Sequence, residues 1–249
     1  MNNVHNLPPT YRTLRDLSAQ DLAYLQEKYA DIAPILLNFY GDIVWGQGQS
    51  PMDELVSCIL SQSTTDANRD RGFALLKEAF PTWDEVANAP TPDVVETIRP
   101  AGLANQKAPR IQNALRRIFA ERGDYNIDFL ATIPIAEAKA WLMSIDGVGP
   151  KTAAIVMCFA FNRPAFPVDT HIHRVSQRLG FLSDKTSADD AHPIMEAIVP
   201  SHDYYAFHLH LIRLGREICT ARRAHCDQCP LTAHCRYYQT VYRTSHEPE

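Results

Sequence analysis

The chain has 249 residues, with 24 basic side chains against 29 acidic ones and a net charge of -5. That length suffices for one large core or two modest ones, and that charge excludes a generally basic polyanion binder. No stretch reads as a membrane span or a secretory leader, so a soluble cytoplasmic protein is expected, with six cysteines kept as thiols or metal ligands rather than disulfides.

The charge is unevenly spread. Residues 1–100 sum to -7, 101–180 to +4, 181–204 to -4 and 205–249 to +2, which leaves a basic middle and tail as a local footprint for phosphates. Helix starts punctuate the chain instead of strand alternation. Ser50-Pro51 with Asp53, Thr82 with Glu85, Thr91-Pro92 with Asp93, and Ser187 with Asp190 each read as an N-cap followed by an acidic first turn. The predicted helices run over 18–29, 32–40, 51–61, 66–79, 82–88, 92–98, 105–121, 135–143, 150–161, 170–179, 188–198 and 204–218. No hairpin or period-2 strand is found, so the expected class is all-α with short connections. Cys58 and Cys158 fall in apolar runs and read as buried core thiols.

Between two helical stretches lies Ile145-Asp146-Gly147-Val148-Gly149-Pro150-Lys151-Thr152. A tight Gly-Val-Gly hairpin at a helix start exposes backbone N–H groups to a phosphate oxygen. A nucleotide-binding P-loop is the competitor, but it needs a preceding strand and a glycine directly before the lysine, where Pro150 stands. Pro150 at the first helical turn gives up only an N–H that had no intrahelical partner. Lys151 then meets the positive end of the helix dipole, which disfavours an ammonium and favours the neutral amine that a nucleophile requires. A lysine that merely touches phosphate is the plainer reading.

Farther on comes Val168-Asp169-Thr170-His171-Ile172-His173. Asp169 reads as a helix N-cap, which leaves one carboxylate oxygen free to face a substrate. His171 and His173 have no metal-binding partner at a suitable spacing and receive no catalytic role. The last fifth holds Cys219, Cys226, Cys229 and Cys235 within 17 residues. This 6-2-5 spacing lets a short loop wrap a four-iron four-sulfur (4Fe-4S) cluster and differs from both ferredoxin patterns. Zinc, which usually draws on two close pairs, is the runner-up. Arg213, Arg216, Arg222, Arg223 and Arg236 surround the ligands and could present cations to a phosphate backbone.

With Gly147-Val148-Gly149-Pro150-Lys151-Thr152-Ala153, Val168-Asp169-Thr170-His171 and the four-cysteine run in place, the chain resembles the endonuclease III family of helix-hairpin-helix DNA repair enzymes over about residues 50–238. The resemblance implies a two-domain, all-α fold. A six-helix barrel would span 46–163, and a discontinuous helical domain would combine 1–45 with 164–249, its cluster loop at 219–235. It implies a bifunctional DNA glycosylase/AP lyase of base excision repair, acting as a monomer on double-stranded DNA with damaged bases or abasic sites, nucleoid-associated if bacterial.

Lys151 and Asp169 would be catalytic, and the four cysteines would hold the 4Fe-4S cluster. Gly147, Val148, Gly149, Thr152, Arg222 and Arg223 would contact DNA. Leu103 matches the family's wedge leucine. Ser61-Gln62-Ser63-Thr64-Thr65-Asp66 matches its gap-filling loop with a departure, since alanine then glutamine are usual at Gln62 and Ser63; Gln62 would serve with the loop shifted by one residue, Ser63 being too short to fill a base-sized hole. Asp146 and Pro150 also replace the family's proline and arginine. The implied substrates are oxidised or ring-reduced pyrimidines. A thymine or uracil mismatch glycosylase is the alternative within the superfamily, although its members usually carry tyrosine at the Lys151 position. A non-catalytic hairpin DNA-binding protein is the alternative outside it.

Overall fold

The computed structural model describes residues 9–46 and 48–244. They form eleven α-helices joined by short turns, with no strand among the described residues. None of these helices is long and apolar enough to cross a membrane. The chain divides into two compact units, one built from residues 46–163 and the other from 1–45 with 164–249.

The central unit holds α2 (Pro51–Ser61), α3 (Asp66–Ala79), α4 (Trp83–Asn88), α5 (Thr91–Thr97), α6 (Ala104–Arg122), α7 (Ile135–Met143) and α8 (Pro150–Ile155). Met52 and every residue from Leu55 to Leu60 are buried, so α2 is enclosed nearly all round and serves as the hub of this unit. Ala108, Ile111, Leu115 and Ile118 of α6 supply a facing apolar stripe at helical spacing.

The composite unit holds α1 (Ala19–Tyr40), α9 (Thr170–Leu179), α10 (Ala188–Ile198) and α11 (Tyr204–Glu217). Phe207 lies at its centre, edge-on to Tyr29 at 4.9 Å and to Phe181 at 6.3 Å between ring centroids. Near the chain start the hydroxyl of Tyr11, itself buried, donates to the Phe181 carbonyl at 2.6 Å and ties the N-terminal segment to this core.

Three expectations are corrected. The predicted helices 18–29 and 32–40 are one, with Pro34 inside it. Leu25, Tyr29, Ile32 and Leu36 form one continuous buried stripe, and its burial outweighs the proline penalty of about 3 kcal/mol. Thr91 is not an N-cap: α5 starts on it after Pro90, and its hydroxyl donates to Gln112 Oε1 at 2.7 Å. The helix expected over 150–161 is α-helical only to Ile155 and continues as a π turn over Val156–Ala160.

Candidate active site

In the central unit the chain leaves α7 and turns at once into α8. The turn closes on a bond from the Val148 N–H to the Ile145 carbonyl at 3.0 Å. Gly147 has a left-handed φ of 79°, and a Cβ there would lie 3.0 Å from Arg110 Cδ, so conformation and space both call for glycine. Gly149 is different. Its backbone is extended, and a Cβ there would meet nothing within 4 Å, so its bare backbone lies open to close approach from outside. The first helical bond runs from Ala153 N–H to the Gly149 carbonyl. The N–H groups of Gly149, Lys151 and Thr152 therefore have no intrahelical acceptor. Lys151 is exposed beside them.

The side chains of Val148 and Thr152 are buried, at 5% and 6% exposure. The hairpin needs apolar anchors beneath it, and these two residues supply them. Gln62 is also committed. Its amide donates to the Gly147 carbonyl at 2.9 Å and accepts from Arg110 at 3.3 Å, so it braces the hairpin rather than standing free at a loop tip.

The neighbouring Ser63 is exposed, with φ of 53°. Leu103 has φ of 49° and is 49% exposed, so it is no core leucine. Left-handed backbone at a residue with a Cβ costs about 1–3 kcal/mol and persists only where the surroundings impose it. Beneath this surface Cys58 donates to Glu54 Oε1 at 3.5 Å. Burial raises the Glu54 carboxyl and pushes the Cys58 thiol far up, while Cys158 is pushed up to about 12, as befits core thiols.

In the composite unit Asp169 caps α9: its Oδ1 accepts from the Ile172 N–H at 2.8 Å. The segment leading to it is clamped along its length. Phe166 N–H donates to Glu196 at 3.1 Å, and ring nitrogens of His192 and His208 bond the carbonyls of Phe166 and Pro167, each at 2.9 Å. His171 and His173 are occupied structurally, by Arg174 at 3.2 Å and by the Thr186 carbonyl at 2.9 Å. Lower on α9, Arg174 donates to the carbonyls of Gly215 and Cys219. Arg178 donates to the Thr220 carbonyl at 2.8 Å and to Cys219 Sγ at 3.3 Å. A sequence reading misses these two arginines, whose only signal is their four-residue spacing on the helix that Asp169 begins.

Cys219, Cys226, Cys229 and Cys235 line one apolar cavity together with Leu179, Leu214 and Tyr238. Burial, then the neighbouring cysteines, push Cys226 up to about 11; burial, opposed by a backbone N–H, takes Cys229 up to about 12. Among the described residues no three His, Cys, Asp or Glu side chains converge tightly enough to hold one metal ion. Tetrahedral zinc would require sulfurs at about 2.3 Å from a single point. The four sulfurs around this one cavity are the donor set an iron–sulfur cluster would take.

At the start of this loop Cys219 and Ala224 form a bridge, and the Thr220 hydroxyl donates to the Arg223 carbonyl at 2.5 Å, which holds Arg222 and Arg223 exposed on a tight turn. Two of the other arginines expected beside them are committed to the fold. Arg213 lies 4.3 Å over the Tyr40 ring, and Arg236 pairs with Asp184 at 2.6 Å.

Residues 56–201 match the family model of the HhH-GPD superfamily base excision DNA repair protein. Endonuclease III of Sulfolobus acidocaldarius is 31% identical over 225 residues, covering 90% of this chain and 97% of its own length. An Arabidopsis thaliana relative is 35% identical over 193 residues, 74% of this chain and 66% of its own length. A solved structure of a trapped endonuclease III–DNA covalent intermediate, an estranged-adenine complex, superposes with a TM-score of 0.71 at 29% identity, covering 91% of this chain and all of that one. The helical fold, the hairpin before α8 and these matches agree: the chain belongs to the endonuclease III family of the HhH-GPD superfamily of base excision DNA repair proteins.

Proposed function

We propose that this DNA glycosylase is bifunctional, with Lys151 as the nucleophile of both base release and strand cleavage. One observation carries the reading: an exposed lysine stands beside three N–H groups without intrahelical acceptors, next to a Gly149 backbone that nothing in the unit covers. Those N–H groups suit a phosphate oxygen and would bring the sugar of a flipped-out nucleotide to the amine.

The Lys151 amine attacks C1′ as the N-glycosidic bond breaks and its electron pair leaves with the base. The Asp169 carboxylate stabilises positive charge at C1′ and takes the proton lost by the attacking amine. The C1′–O4′ bond then opens, its electron pair going to O4′, which takes up the proton held by Asp169, while the nitrogen lone pair forms an iminium that acidifies C2′. Loss of a C2′ proton then forms the C2′–C3′ double bond while the 3′ phosphate departs with the C3′–O pair. Water finally releases the unsaturated sugar from Lys151.

The relative captured as a covalent intermediate with DNA supports the same chemistry here. Oxidised and ring-reduced pyrimidines in duplex DNA are the proposed substrates, and a monomer in the cytoplasm the proposed form. Leu103 and the tip at Ser63 are proposed to enter the space that the flipped nucleotide vacates. Cys219, Cys226, Cys229 and Cys235 are proposed to hold a 4Fe-4S cluster, which when bound cross-links the loop that presents Arg222 and Arg223.

Borohydride reduction tests the reading. Incubating the chain with abasic duplex DNA and borohydride is expected to give a covalent protein–DNA product, and a duplex panel with one lesion each should show base release from the pyrimidine lesions. Base release with no trapped product would mean a monofunctional enzyme, and neither reaction would leave only a binding module.

Asp169 admits a separable prediction. Asp169→Asn keeps an oxygen for the Ile172 N–H and loses only the charge, so single-turnover base release is expected to fall about 10²-fold or more at nearly unchanged stability. Asp169→Ala also removes the cap and is expected to lose about 1 kcal/mol in urea denaturation. Equal activity in the asparagine variant and the unaltered chain would remove Asp169 from the mechanism.

A further inference from the structure

Lys107 is 1% exposed, an unusual place for an ammonium. Its Nζ donates to the Leu60 carbonyl at 2.7 Å and to the Ala101 carbonyl at 2.8 Å, with no carboxylate among its partners. Both acceptors belong to helical C-terminal ends. Leu60 is the penultimate residue of α2, and Ala101 closes the 3-10 turn Arg99–Ala101. The carbonyls there lack intrahelical donors and carry the negative ends of the peptide dipoles, so the buried charge is matched without an acid.

Immediately beyond these two acceptors the chain enters the loops that carry Ser63 and Leu103. Both residues hold left-handed backbone, and both are exposed. One buried cation thus ties together the roots of two strained loops. Resting on the reading that these loops enter the DNA stack, we infer that Lys107 is a positioning residue that holds the Ser63 and Leu103 loops at a fixed spacing as a rigid wedge.

A wedge that gives way cannot displace a stacked base pair, and misplacement by about 1 Å far from the reacting atoms can cost on the order of 10²-fold in rate. The role of Lys107 should therefore appear where the stack must be opened and vanish where there is no stack. Lys107→Met keeps an unbranched stem one atom shorter and removes its donors. It is expected to release a lesion base from duplex DNA about 10- to 100-fold more slowly in single turnover. It should also lose the fluorescence rise of 2-aminopurine placed beside an abasic site in a duplex. Borohydride trapping on a single-stranded abasic oligonucleotide should stay within about twofold of the unaltered chain, since that substrate has no gap to fill.

Equal loss on both substrates, or no loss on the duplex, would overturn the assignment. If Lys107→Met does not fold, Gly72→Ala carries the same comparison. A Cβ at Gly72 would come within 2.9 Å of Ala101 Cβ and so presses on the same turn from α3. It too should slow the duplex more than the single strand, and equal or absent effects count against the inference. The unstacking signal needs no chemistry at Lys151. An unaltered chain that unstacks the duplex but traps nothing overturns the lyase reading alone, whereas one that binds without unstacking overturns the wedge and the Lys107 assignment together.

Discussion

Replacing Lys151 by alanine is expected to abolish borohydride trapping and to lower strand cleavage at an abasic site by on the order of 10³-fold or more, while DNA affinity and fold persist. The size of the effect follows from the step that is lost. Without the amine there is no covalent bond to C1′, no iminium and hence no acidified C2′ proton, so β-elimination has no route through the protein. Persistence of the fold follows from exposure: Lys151 projects from the second position of α8, and substitutions at such surface positions usually change stability by no more than about 0.5 kcal/mol. The turn beneath it is held by Gly147, Val148 and Gln62 and does not need the lysine. Affinity for abasic duplex, measured in the same buffer by fluorescence anisotropy, should therefore change by less than about threefold, because one exposed cation among several contributes about one phosphate contact. Full trapping by Lys151→Ala would assign the Schiff base to another lysine.

Much of the helical framework was legible because its signals are local. The bounds of α2, α3, α7, α9 and α10 follow from caps such as Ser50 and Ser187, whose side chains accept from the residue three on, and from apolar spacing that the fold then buries. What misled were local signals overruled by packing. The break expected between residues 29 and 32 is bridged by the buried stripe from Leu25 to Leu36, and Thr91 looked like a cap while its hydroxyl serves Gln112.

The site was less legible than the fold. A glycine-rich turn before a lysine can be recognised from residue types, but nothing in Gly-Val-Gly-Pro-Lys-Thr says that Val148 and Thr152 point inward. Gln62 could be placed on a loop from sequence. That its amide is spent on Gly147 and Arg110 depends on partners 85 and 48 residues away. The left-handed φ at Ser63 and Leu103 has no sequence signal at all, since both are residues that ordinarily avoid it. The same holds for Arg174 and Arg178, whose acceptors on the cysteine loop lie more than 40 residues farther along the chain.

Loss of one loop cysteine is expected to have the second large effect, on DNA binding rather than on the reacting lysine. The segment from Cys219 to Cys235 has no α-helix, only the Cys219–Ala224 bridge and two 3-10 turns, Cys226–Gln228 and Thr232–His234, so little regular hydrogen bonding of its own holds it in shape. Beside these stand four sulfurs around an apolar cavity and, at the end that holds the bridge, the Thr220 bond to Arg223 and the contacts from Arg174 and Arg178. Binding energy of a group ligated by all four sulfurs is folding energy for such a segment. Cys226→Ala is therefore expected to purify without cluster absorbance and to lose amide-exchange protection across the loop. With the turn unlocked, Arg222 and Arg223 no longer meet the phosphates in a fixed geometry. The slope of log affinity against log salt should then fall by about 2, roughly one for each cation, with binding at least about tenfold weaker at low salt. Arg222→Ala with Arg223→Ala in an otherwise intact chain separates cause from consequence: it should reproduce the reduced slope while cluster absorbance and exchange protection stay. A Cys226→Ala protein with the original salt slope would show that the arginines of α9 hold the loop unaided, and the cluster would then lose the structural role proposed for it.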